Sequence, residues 1–371
     1  MTINSKNYFS NSHSGGRVKR IGFVTSTAFP NLDEDDHIMV KNAINQYECE
    51  YCIWDDNEVQ WQSFDLLIIR SVWDYVHKFE LFKRWMKKIE LLGIQVLNDF
   101  NIIRWNWNKN YLKELEQAGV SIVPSLFVES TSIPKSLLQY AQEGIQLKKF
   151  NKNQYKFVLK PCVGASSYGT YQFTLDNWSD YQQEFSNLVK VSDMIIQPFV
   201  ETIQSDGETS FIFFNKKFSH SIVKHPSKDD FRVQENYGGT YEKNKNLTQD
   251  EIDIAQSIMD YVGKKGKILY TRIDMLRYNN RLCLSECELF EPTLYFMNDD
   301  KIAKKFVSMI GENIAKPSDR LVSVSSISID ANVLVVGSPS EIVRGRAKSV
   351  SSPLIIGQDE LMITKIRNVA I

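Results

Sequence analysis

Three carboxylates on two neighbouring strand patterns constrain the fold of this chain more than any other feature. Asp274 lies in TRIDMLRY, and Glu286 and Glu288 lie in LCLSECELFEP, beyond a YNNR turn. Residues two apart in a strand point to the same face, so this hairpin places the three acids together on one face of a sheet. Such a cluster needs a counter-cation, and Mg²⁺ suits it, commonly together with a nucleotide phosphate. A structural Ca²⁺ site and a general acid–base pair fit the same three residues.

Composition excludes several classes of protein. The chain has 371 residues, 43% hydrophobic and 24% charged, with a net charge of −1. The near-zero charge argues against a dedicated nucleic-acid binder. No apolar run reaches the roughly 18 residues of a membrane span, and the polar N-terminus lacks the apolar core of a signal peptide. We therefore expect a cytoplasmic globular protein of several domains.

The order of the strand and helix patterns predicts the fold class. Residues 19–104 alternate strand and helix patterns, which indicates an open, mostly parallel sheet. No GxGxxG follows the first strand, so a dinucleotide site is not expected. Residues 155–223 are read as strands with turns, and a capping box at Thr248 begins a helix before the acid-bearing strands. The last aromatic residue is Phe306, and the stretch from Lys316 on has no cluster of acids, histidines or cysteines, so we assign it no chemical role.

A second informative stretch is FVLKPCVGASSYGTYQF, which begins at Phe157. Lys160 ends an apolar strand and supplies a cation. The small residues that follow let backbone N–H groups approach anionic oxygens, and the serine hydroxyls add donors. The GxxxxGK[ST] pattern is absent, so this is not a Walker A loop. A flexible hairpin that holds a lysine also fits this stretch when it is taken alone.

Further candidate residues follow downstream. IIQPFVE, which begins at Ile195, predicts a strand running into a connector that can offer backbone groups to an adenine edge. Glu201 or Glu208 offers a carboxylate for ribose hydroxyls. FRVQENYGGTY, which begins at Phe231, is typical of a mobile loop. The remaining candidates are cations and small or polar residues in this part of the chain: Lys224, Arg232, Arg272, Asn236, Gly238 and Gly239.

The motifs over residues 106–298 follow one order: lysine, small-residue loop, hinge, cationic loop, Asp and Glu-x-Glu. In this order they resemble the ATP-grasp superfamily, in its glutathione-synthetase-like branch. RSVWDY (70–75) and IIRWNWNKNYL (102–112) look like the subgroup that contains the D-cycloserine-forming ligase. The resemblance implies an ATP-grasp fold preceded by an open, mostly parallel α/β domain. The predicted divisions are a disordered lead-in (1–18), a pre-ATP-grasp α/β domain (19–108), an N-terminal lobe (109–192), a C-terminal lobe with the metal site (193–314), and an aromatic-free, β-rich or poorly ordered extension (315–371).

The resemblance also implies roles for individual residues. Asp274, Glu286 and Glu288 match the ligands of two Mg²⁺ ions, with Mn²⁺ as an alternative; glutathione synthetase has asparagine where this chain has Glu288. The catalytic candidates are the cations near the γ-phosphate: Arg232, Arg272 and Lys224. The ATP-binding candidates comprise two phosphate lysines, the small-residue loop, the adenine hinge and the ribose acid: Lys109, Lys160, Ser166, Ser167, Gly169, Thr170, Gln197, Pro198, Phe199, Val200 and Glu208.

The reaction implied is ATP-dependent joining of a carboxylate and an amine through an acyl-phosphate, with release of ADP and phosphate. We expect an amino acid or peptide-like substrate and small-molecule partners only, and we leave a homo-oligomer open. The alternatives are intramolecular ring closure, a small-molecule kinase and a nucleotide-binding pseudoenzyme.

Substrate candidates come from two places in the sequence. The strand DLLIIRS leads to five candidates, and residues at the carboxyl end of a parallel strand tend to line ligand crevices: Arg70, Ser71, Trp73, Asp74 and Tyr75. Arg70 either clamps a substrate carboxylate or forms a structural ion pair with Asp74 or Asp99. The mobile loop adds three further candidates: Asn236, Gly238 and Gly239.

Overall fold

The computed structural model describes residues 17–131 and 135–314, together with the short strands Leu334–Val335 and Ile342–Val343. The chain divides into two compact units, Met1–Pro317 and Ser318–Ile371. In the second unit the two short strands pair antiparallel, Leu334 opposite Val343. The predicted lead-in, apart from residues 17 and 18, and most of the predicted extension lie outside the described residues.

The first sheet is parallel, as the strand–helix alternation predicts. Its strand order is β2-β1-β3-β4, and every pairing in it is parallel. All four residues of the short central strand β3 are buried, which is typical of a strand covered on both faces. The elements are β1 (Arg20–Thr25), α1 (His37–Ala43), β2 (Glu48–Ile53), β3 (Leu66–Ile69), α2 (Phe79–Leu91) and β4 (Gln95–Leu97). Gly93 ends α2 with φ of 65°, the left-handed conformation of a helix C-cap.

Two antiparallel sheets follow. The second sheet has the order β5-β8-β6-β7. Its part of the chain contains α3 (Phe100–Asn106), α4 (Tyr111–Gln117), β5 (Leu126–Val128), α5 (Leu137–Gln146), β6 (Lys156–Pro161), β7 (Tyr171–Thr174), α6 (Trp178–Leu188) and β8 (Met194–Pro198). The sequence pattern does not predict α6, because Phe185 and Leu188 are its only buried residues and its apolar periodicity is therefore weak.

The third sheet has the order β11-β10-β9-β12-β13. Its elements are β9 (Glu208–Phe214), β10 (Lys217–His225), β11 (Thr240–Lys243), α7 (Gln249–Val262), β12 (Tyr270–Tyr278), β13 (Arg281–Glu288) and α8 (Asp300–Asn313). The capping box at Thr248 is present, because its side chain and that of Glu251 each accept the backbone N–H of the other residue. The mixed α/β architecture confirms the predicted fold class. The predicted domain boundaries remain predictions.

The two acid-bearing strands form the expected hairpin. Asp274 lies opposite Glu286 and Arg272 lies opposite Glu288. The register shifts directly after Asp274, where Met275 pairs with Leu284 and Ser285 has no opposite residue. Such a bulge bends the strand and redirects side chains, and bulges are frequent beside active sites. The hairpin therefore presents its carboxylates at a point where the ladder is interrupted.

A buried ion pair lies at the carboxyl end of β3, and its arginine also contacts the segment that follows β13. Arg70 is 2% exposed and Asp36 is 2% exposed. The Arg70 Nη2 atom lies 2.9 Å from Asp36 Oδ1, and the same nitrogen donates to the Pro292 carbonyl oxygen at 2.8 Å. Burial raises the pKa of Asp36 to about 6 against the attraction of Arg70. Asp36 in turn raises the pKa of Arg70 against the effect of burial.

Removal of either charge of the Arg70–Asp36 pair should therefore destabilise the fold. We expect Asp36→Asn to lower the free energy of unfolding by about 3–5 kcal/mol, because the buried Arg70 charge loses its partner. Chemical denaturation measures this change. The matched control is Glu80→Gln, which breaks the exposed pair with Lys83 and should change the stability far less. Equal effects of the two substitutions would contradict the structural role of the buried pair.

Candidate active site

A single cavity of about 320 Å³ collects most of the residues singled out in the sequence. Strands β6 and β8 of the second sheet line one side, and β9, β10, β12 and β13 of the third sheet line the other. The small-residue loop after β6 and the FRVQENYGG loop complete the wall. The predicted site residues in the lining are Lys109, Lys160, Ser166, Ser167, Thr170, Gln197, Pro198, Phe199, Val200, Glu208, Lys224, Arg232, Asn236, Arg272, Asp274, Glu286 and Glu288.

The three acids of the hairpin meet at one end of the cavity. Asp274, Glu286 and Glu288 each offer one carboxylate oxygen, and these three atoms lie within 4.8 Å of one another. Asp274 is 1% exposed, and Ser210 Oγ donates a hydrogen bond to its Oδ1 atom. A cluster of oxygens with this spacing matches the preference of Mg²⁺ for hard ligands.

Two cations, Arg272 and Lys224, pair with Asp274 and Glu288. Arg272 Nε donates to both Asp274 oxygens at 3.0 Å, and the Arg272 Nη2 atom donates to Glu288. Lys224 Nζ lies 3.3 Å from Asp274 Oδ1. Burial alone would raise the pKa of Asp274, but Arg272 and Lys224 outweigh it and lower that pKa to about 2. Asp274 is therefore ionised at neutral pH.

One carboxylate oxygen of the acid cluster lacks a hydrogen bond. Glu286 Oε1 is buried without a properly directed hydrogen bond, although Lys109 Nζ lies 2.7 Å away. A buried carboxylate oxygen that lacks a hydrogen bond is costly, so a further cation would stabilise it. The acids therefore fit a divalent ion by donor chemistry, spacing and this unsatisfied atom.

Two half-buried lysines, Lys109 and Lys160, form the cationic part of the predicted clamp. Lys160 forms no ion pair within 4.0 Å among the described residues. Burial lowers its pKa to about 8, and the like charge of Lys109 acts in the same direction. Lys109 Nζ donates to the Gly164 carbonyl oxygen at 2.6 Å, so this lysine touches both the loop and the acid cluster. An anionic oxygen between the two lysines would relieve their repulsion.

The small-residue loop carries backbone strain. Ser166 has φ of 49° and Ser167 has φ of 58°, values that non-glycine residues rarely adopt. Strained residues of this kind concentrate at ligand clamps. Gly169 has φ of 63° and does not line the cavity, so it serves the turn of the loop.

The adenine and ribose candidates line the cavity but already have partners. Gln197 Nε2 donates to Ser125 Oγ at 2.9 Å. Glu208 Oε2 lies 2.6 Å from Lys224 Nζ, so the carboxylate predicted to bind ribose is paired with a lysine here. Lys224 therefore joins Glu208 to Asp274, and it stands between the predicted ribose and metal ends.

The FRVQENYGG loop covers the cavity and contacts the small-residue loop. Ser167 Oγ donates to Gln234 Oε1 at 2.6 Å. Arg232 lines the cavity, yet it pairs with Asp230 at 2.6 Å and stacks 3.5 Å from the Tyr237 ring centroid. Its guanidinium would have to leave Asp230 to reach a phosphate.

Most of the predicted substrate residues do not line the cavity. Arg70 pairs with Asp36, and neither Asp74 nor Asp99 is its partner. Ser71 Oγ accepts the Asp33 N–H at 3.0 Å. Their positions correct the prediction of direct contact, since both side chains hold the loop after β1.

Gly238 and Gly239 have backbone roles. Gly238 has φ of 79°, and a Cβ at Gly239 would lie 2.2 Å from the Val233 carbonyl oxygen. Both glycines serve the loop turn, which corrects their assignment to substrate binding. Asn236 does line the cavity.

The structure adds lining residues that the sequence reasoning did not select. Glu291 lies three residues after the end of β13, and its closeness in sequence to Glu288 was an available signal. Asp33 follows the carboxyl end of the parallel strand β1, which is where ligand crevices form. Further additions include three aromatic residues and one residue of the FRVQENYGG loop: Phe29, Tyr241, Tyr295 and Glu235.

Comparison with known proteins places this geometry in a family. Residues 125–297 match the family model described as the prokaryotic glutathione synthetase ATP-grasp domain. Residues 21–98 match the model of the N-terminal domain of D-cycloserine synthetase. Residues 125–297 are therefore an ATP-grasp domain of this family. The match to an ATP-grasp domain supports an ATP-dependent enzyme that forms C–N bonds.

Individual relatives agree with the ATP-grasp assignment. The cycloserine biosynthesis protein DcsG of Streptomyces lavendulae is 23% identical over 281 residues, which are 71% of this chain and 88% of that protein. The crystal structure of D-cycloserine synthetase has a TM-score of 0.70 at 21% identity and covers 80% of this chain and 100% of its own. The D-alanine–D-alanine ligase of Bacillus anthracis, solved with ATP, has a TM-score of 0.57 at 14% identity, with coverage of 82% and 99%.

The described part of this ATP-grasp chain has no helix that is long and apolar enough to cross a membrane.

The acid cluster makes a direct prediction about metal binding. In the presence of a nonhydrolysable ATP analogue, we expect Glu286→Gln to weaken Mn²⁺ binding at least about tenfold, because one anionic ligand is lost. Isothermal titration calorimetry measures the affinity without turnover. Glu242→Gln, on the exposed part of β11, is the matched control and should bind Mn²⁺ like the unchanged protein. A loss of affinity that is the same in both variants would argue against the cluster as the metal site.

Proposed function

We propose that this chain is a carboxylate–amine ligase that activates a carboxylate as an acyl-phosphate and transfers the acyl group to an amine. An amino acid or a peptide-like molecule is the proposed substrate. The observation that carries the proposal is one covered cavity in which the acid cluster and five cations lie together with a separate lining of aromatic and acidic residues. The acids and cations suit a triphosphate with its metal ion, and the aromatic and acidic lining suits an organic substrate.

The cations address the main physical obstacle to such a reaction. A substrate carboxylate has to approach a triphosphate of the same charge, so positive groups must surround the transferred phosphoryl group. Lys109, Lys160 and Arg272 line the cavity next to the acids, and Lys224 and Arg232 complete the set. Asp274, Glu286 and Glu288 would hold Mg²⁺, which when bound neutralises phosphate oxygens and orients them.

The proposed reaction has two steps. A carboxylate oxygen of the substrate forms a bond to the γ-phosphorus, and the bond from that phosphorus to the bridging oxygen breaks, so that ADP leaves. The amine nitrogen then bonds to the acyl carbon, the bond from that carbon to the phosphate oxygen breaks, and the amine releases a proton. No side-chain nucleophile takes part in either step.

Two features of the chain support this route. The hydrogen bond from Ser167 to Gln234 holds the FRVQENYGG loop against the small-residue loop. Together the two loops would shield a water-sensitive acyl-phosphate. Cys162, the thiol nearest to the clamp, is fully buried, and burial raises its pKa to about 12. A thiol with so high a pKa is a poor nucleophile, which fits a mechanism without a covalent enzyme intermediate.

A ring-closing variant is the second candidate, and the match of residues 21–98 to the N-terminal domain of D-cycloserine synthetase favours it. In that variant the amine and the carboxylate belong to the same molecule. The mass of the product separates the two, because ring closure removes one water from a single substrate.

Trapping of the intermediate tests the proposal. The purified chain with ATP, Mg²⁺, hydroxylamine and pools of amino acids should release ADP and form a hydroxamate, because hydroxylamine captures the acyl-phosphate. Coupled ADP detection and mass spectrometry measure the two products. Glu286→Gln should lower the rate at least about a hundredfold through the loss of a metal ligand.

Two results would contradict the ligase. One is ADP release with a phosphorylated product and no hydroxamate, which indicates a kinase. The other is an unchanged ADP rate in Glu286→Gln, which removes the acid cluster from the reaction. Glu242→Gln again serves as the control and should retain the full rate.

A further inference from the structure

Glu291 is a buried carboxylate in the active cavity that the roles described above do not use. It is 7% exposed and lines the cavity three residues after Glu288. Among the described residues the group of acids spaced for a metal ion contains Asp274, Glu286 and Glu288, but not Glu291. Its carboxylate is therefore available for a different ligand.

The RSVWDY motif holds Glu291 in place from the first sheet. Tyr75 is 1% exposed, and its hydroxyl donates to Glu291 Oε1 at 3.0 Å. Trp73 Nε1 donates to the Glu291 carbonyl oxygen at 2.8 Å, and Arg70 Nη2 donates to the next carbonyl oxygen, that of Pro292. The residues first considered as substrate contacts thus fix the backbone and one carboxylate oxygen of Glu291. Such packing gives a preorganised side chain rather than a mobile one.

The cations near Glu291 are paired with other carboxylates. Burial raises the pKa of Glu291 to about 8, and Glu288 adds to that effect, while Lys109, Tyr75 and Arg272 oppose it. The two cations are already engaged, because Lys109 lies on Glu286 and Arg272 donates to Glu288. A buried carboxylate in this situation is stabilised by a proton or by a cationic ligand.

The neighbouring cavity wall also favours a cation. Phe29 and Trp73 line the cavity and meet edge to face, with ring centroids 4.8 Å apart. Asp33 and Glu235 line the same cavity, and burial together with the charges of Asp33 and Glu34 raises the pKa of Glu235. Aromatic faces attract ammonium groups, and the attraction grows when the site excludes water.

We infer that Glu291, held by Tyr75 and Trp73, is the anchor for a protonated amine of the substrate, and that Phe29 and Asp33 complete the recognition site. The inference deepens the proposed ligase function and rests on it. The substrate class is then an amino acid or a related molecule with an ammonium group. Plain carboxylic acids of the same size leave Glu291 without a partner and are poor substrates.

Ligand-observed saturation-transfer NMR tests the anchor without turnover. The probes are ethylammonium and its neutral counterpart ethanol, each added to the full chain with Mg²⁺ and a nonhydrolysable ATP analogue. We expect transfer to ethylammonium and little to ethanol. Glu291→Gln, which keeps the hydrogen bond from Tyr75, should reduce the ethylammonium signal at least fivefold. Glu143→Gln, on the outer face of α5 and outside the cavity, should leave it unchanged.

Kinetics provide the second arm. For the amino acid that gives the fastest ADP release, we expect Glu291→Gln to lower kcat/KM at least tenfold. The same variant should change kcat/KM for the deaminated analogue, and the KM for ATP, by less than twofold. Tyr75→Phe leaves the charge in place but removes its positioning donor, so it should lower kcat/KM for the amino acid about threefold.

The outcomes separate this inference from the proposed function. Hydroxamate formation and an ethylammonium signal that are both unchanged in Glu291→Gln would overturn the anchor while the ligase stands. An ethylammonium signal that depends on Glu291, with no ADP released from ATP in the presence of any amino acid, would overturn the ligase while the anchor stands. An equal loss of activity with the amino acid and with its deaminated analogue would show that Glu291 does not recognise the amine, and would also overturn the anchor.

Discussion

Charge balance on one β-hairpin is the constraint on which the rest of the site depends. Asp274, Glu286 and Glu288 lie too close together to remain ionised without cations. Arg272 and Lys224 keep Asp274 ionised, and Lys109 lies against Glu286. Each of these cations also lines the cavity. A metal ion that binds the acids would release cationic charge toward the phosphates, so the same residues serve both the protein without ligand and the complex with ATP.

The first sheet contributes to the site through the segment after β13. Phe296 and Met297 donate their N–H groups to Asp35, and Arg70 donates to the Pro292 carbonyl oxygen. Tyr270 Oη donates to the carbonyl oxygens of Ile69 and Phe290, which joins β3 and β12 directly. The buried residues that make these contacts leave the segment little freedom. The first sheet thus supports the segment that carries Glu291, even where its side chains do not touch the cavity.

Sequence reasoning predicted the parts of the site that local geometry determines. The twofold repeat of a strand places Glu286 and Glu288 on one face, and a short turn brings Asp274 opposite Glu286. Lys160 at a strand end, followed by small residues, is equally local. The parallel first sheet followed from the alternation of strand and helix patterns, which depends on the period of the apolar residues and not on distant contacts.

Partners that lie far apart in the chain could not be predicted in this way. Arg70 pairs with Asp36, which stands at the start of α1 and has no sequence signal that links it to β3. The hydrogen bond from Tyr75 to Glu291 joins residues that are 216 positions apart in the sequence. The glycine pair at 238–239 shows a different failure, because a mobile-loop composition does not distinguish a turn from a contact surface. In each case the tertiary packing decides which side chain faces the ligand.

Anomalous diffraction from crystals grown with Mn²⁺ and a nonhydrolysable ATP analogue tests the central claim most directly. We expect manganese density bounded by Asp274, Glu286 and Glu288, with Lys109 Nζ moved from Glu286 to a phosphate oxygen. Manganese bound elsewhere in the chain, with Lys109 still on Glu286 and no triphosphate between the lysines and the acids, would contradict the claim that this hairpin is the metal end of an ATP site.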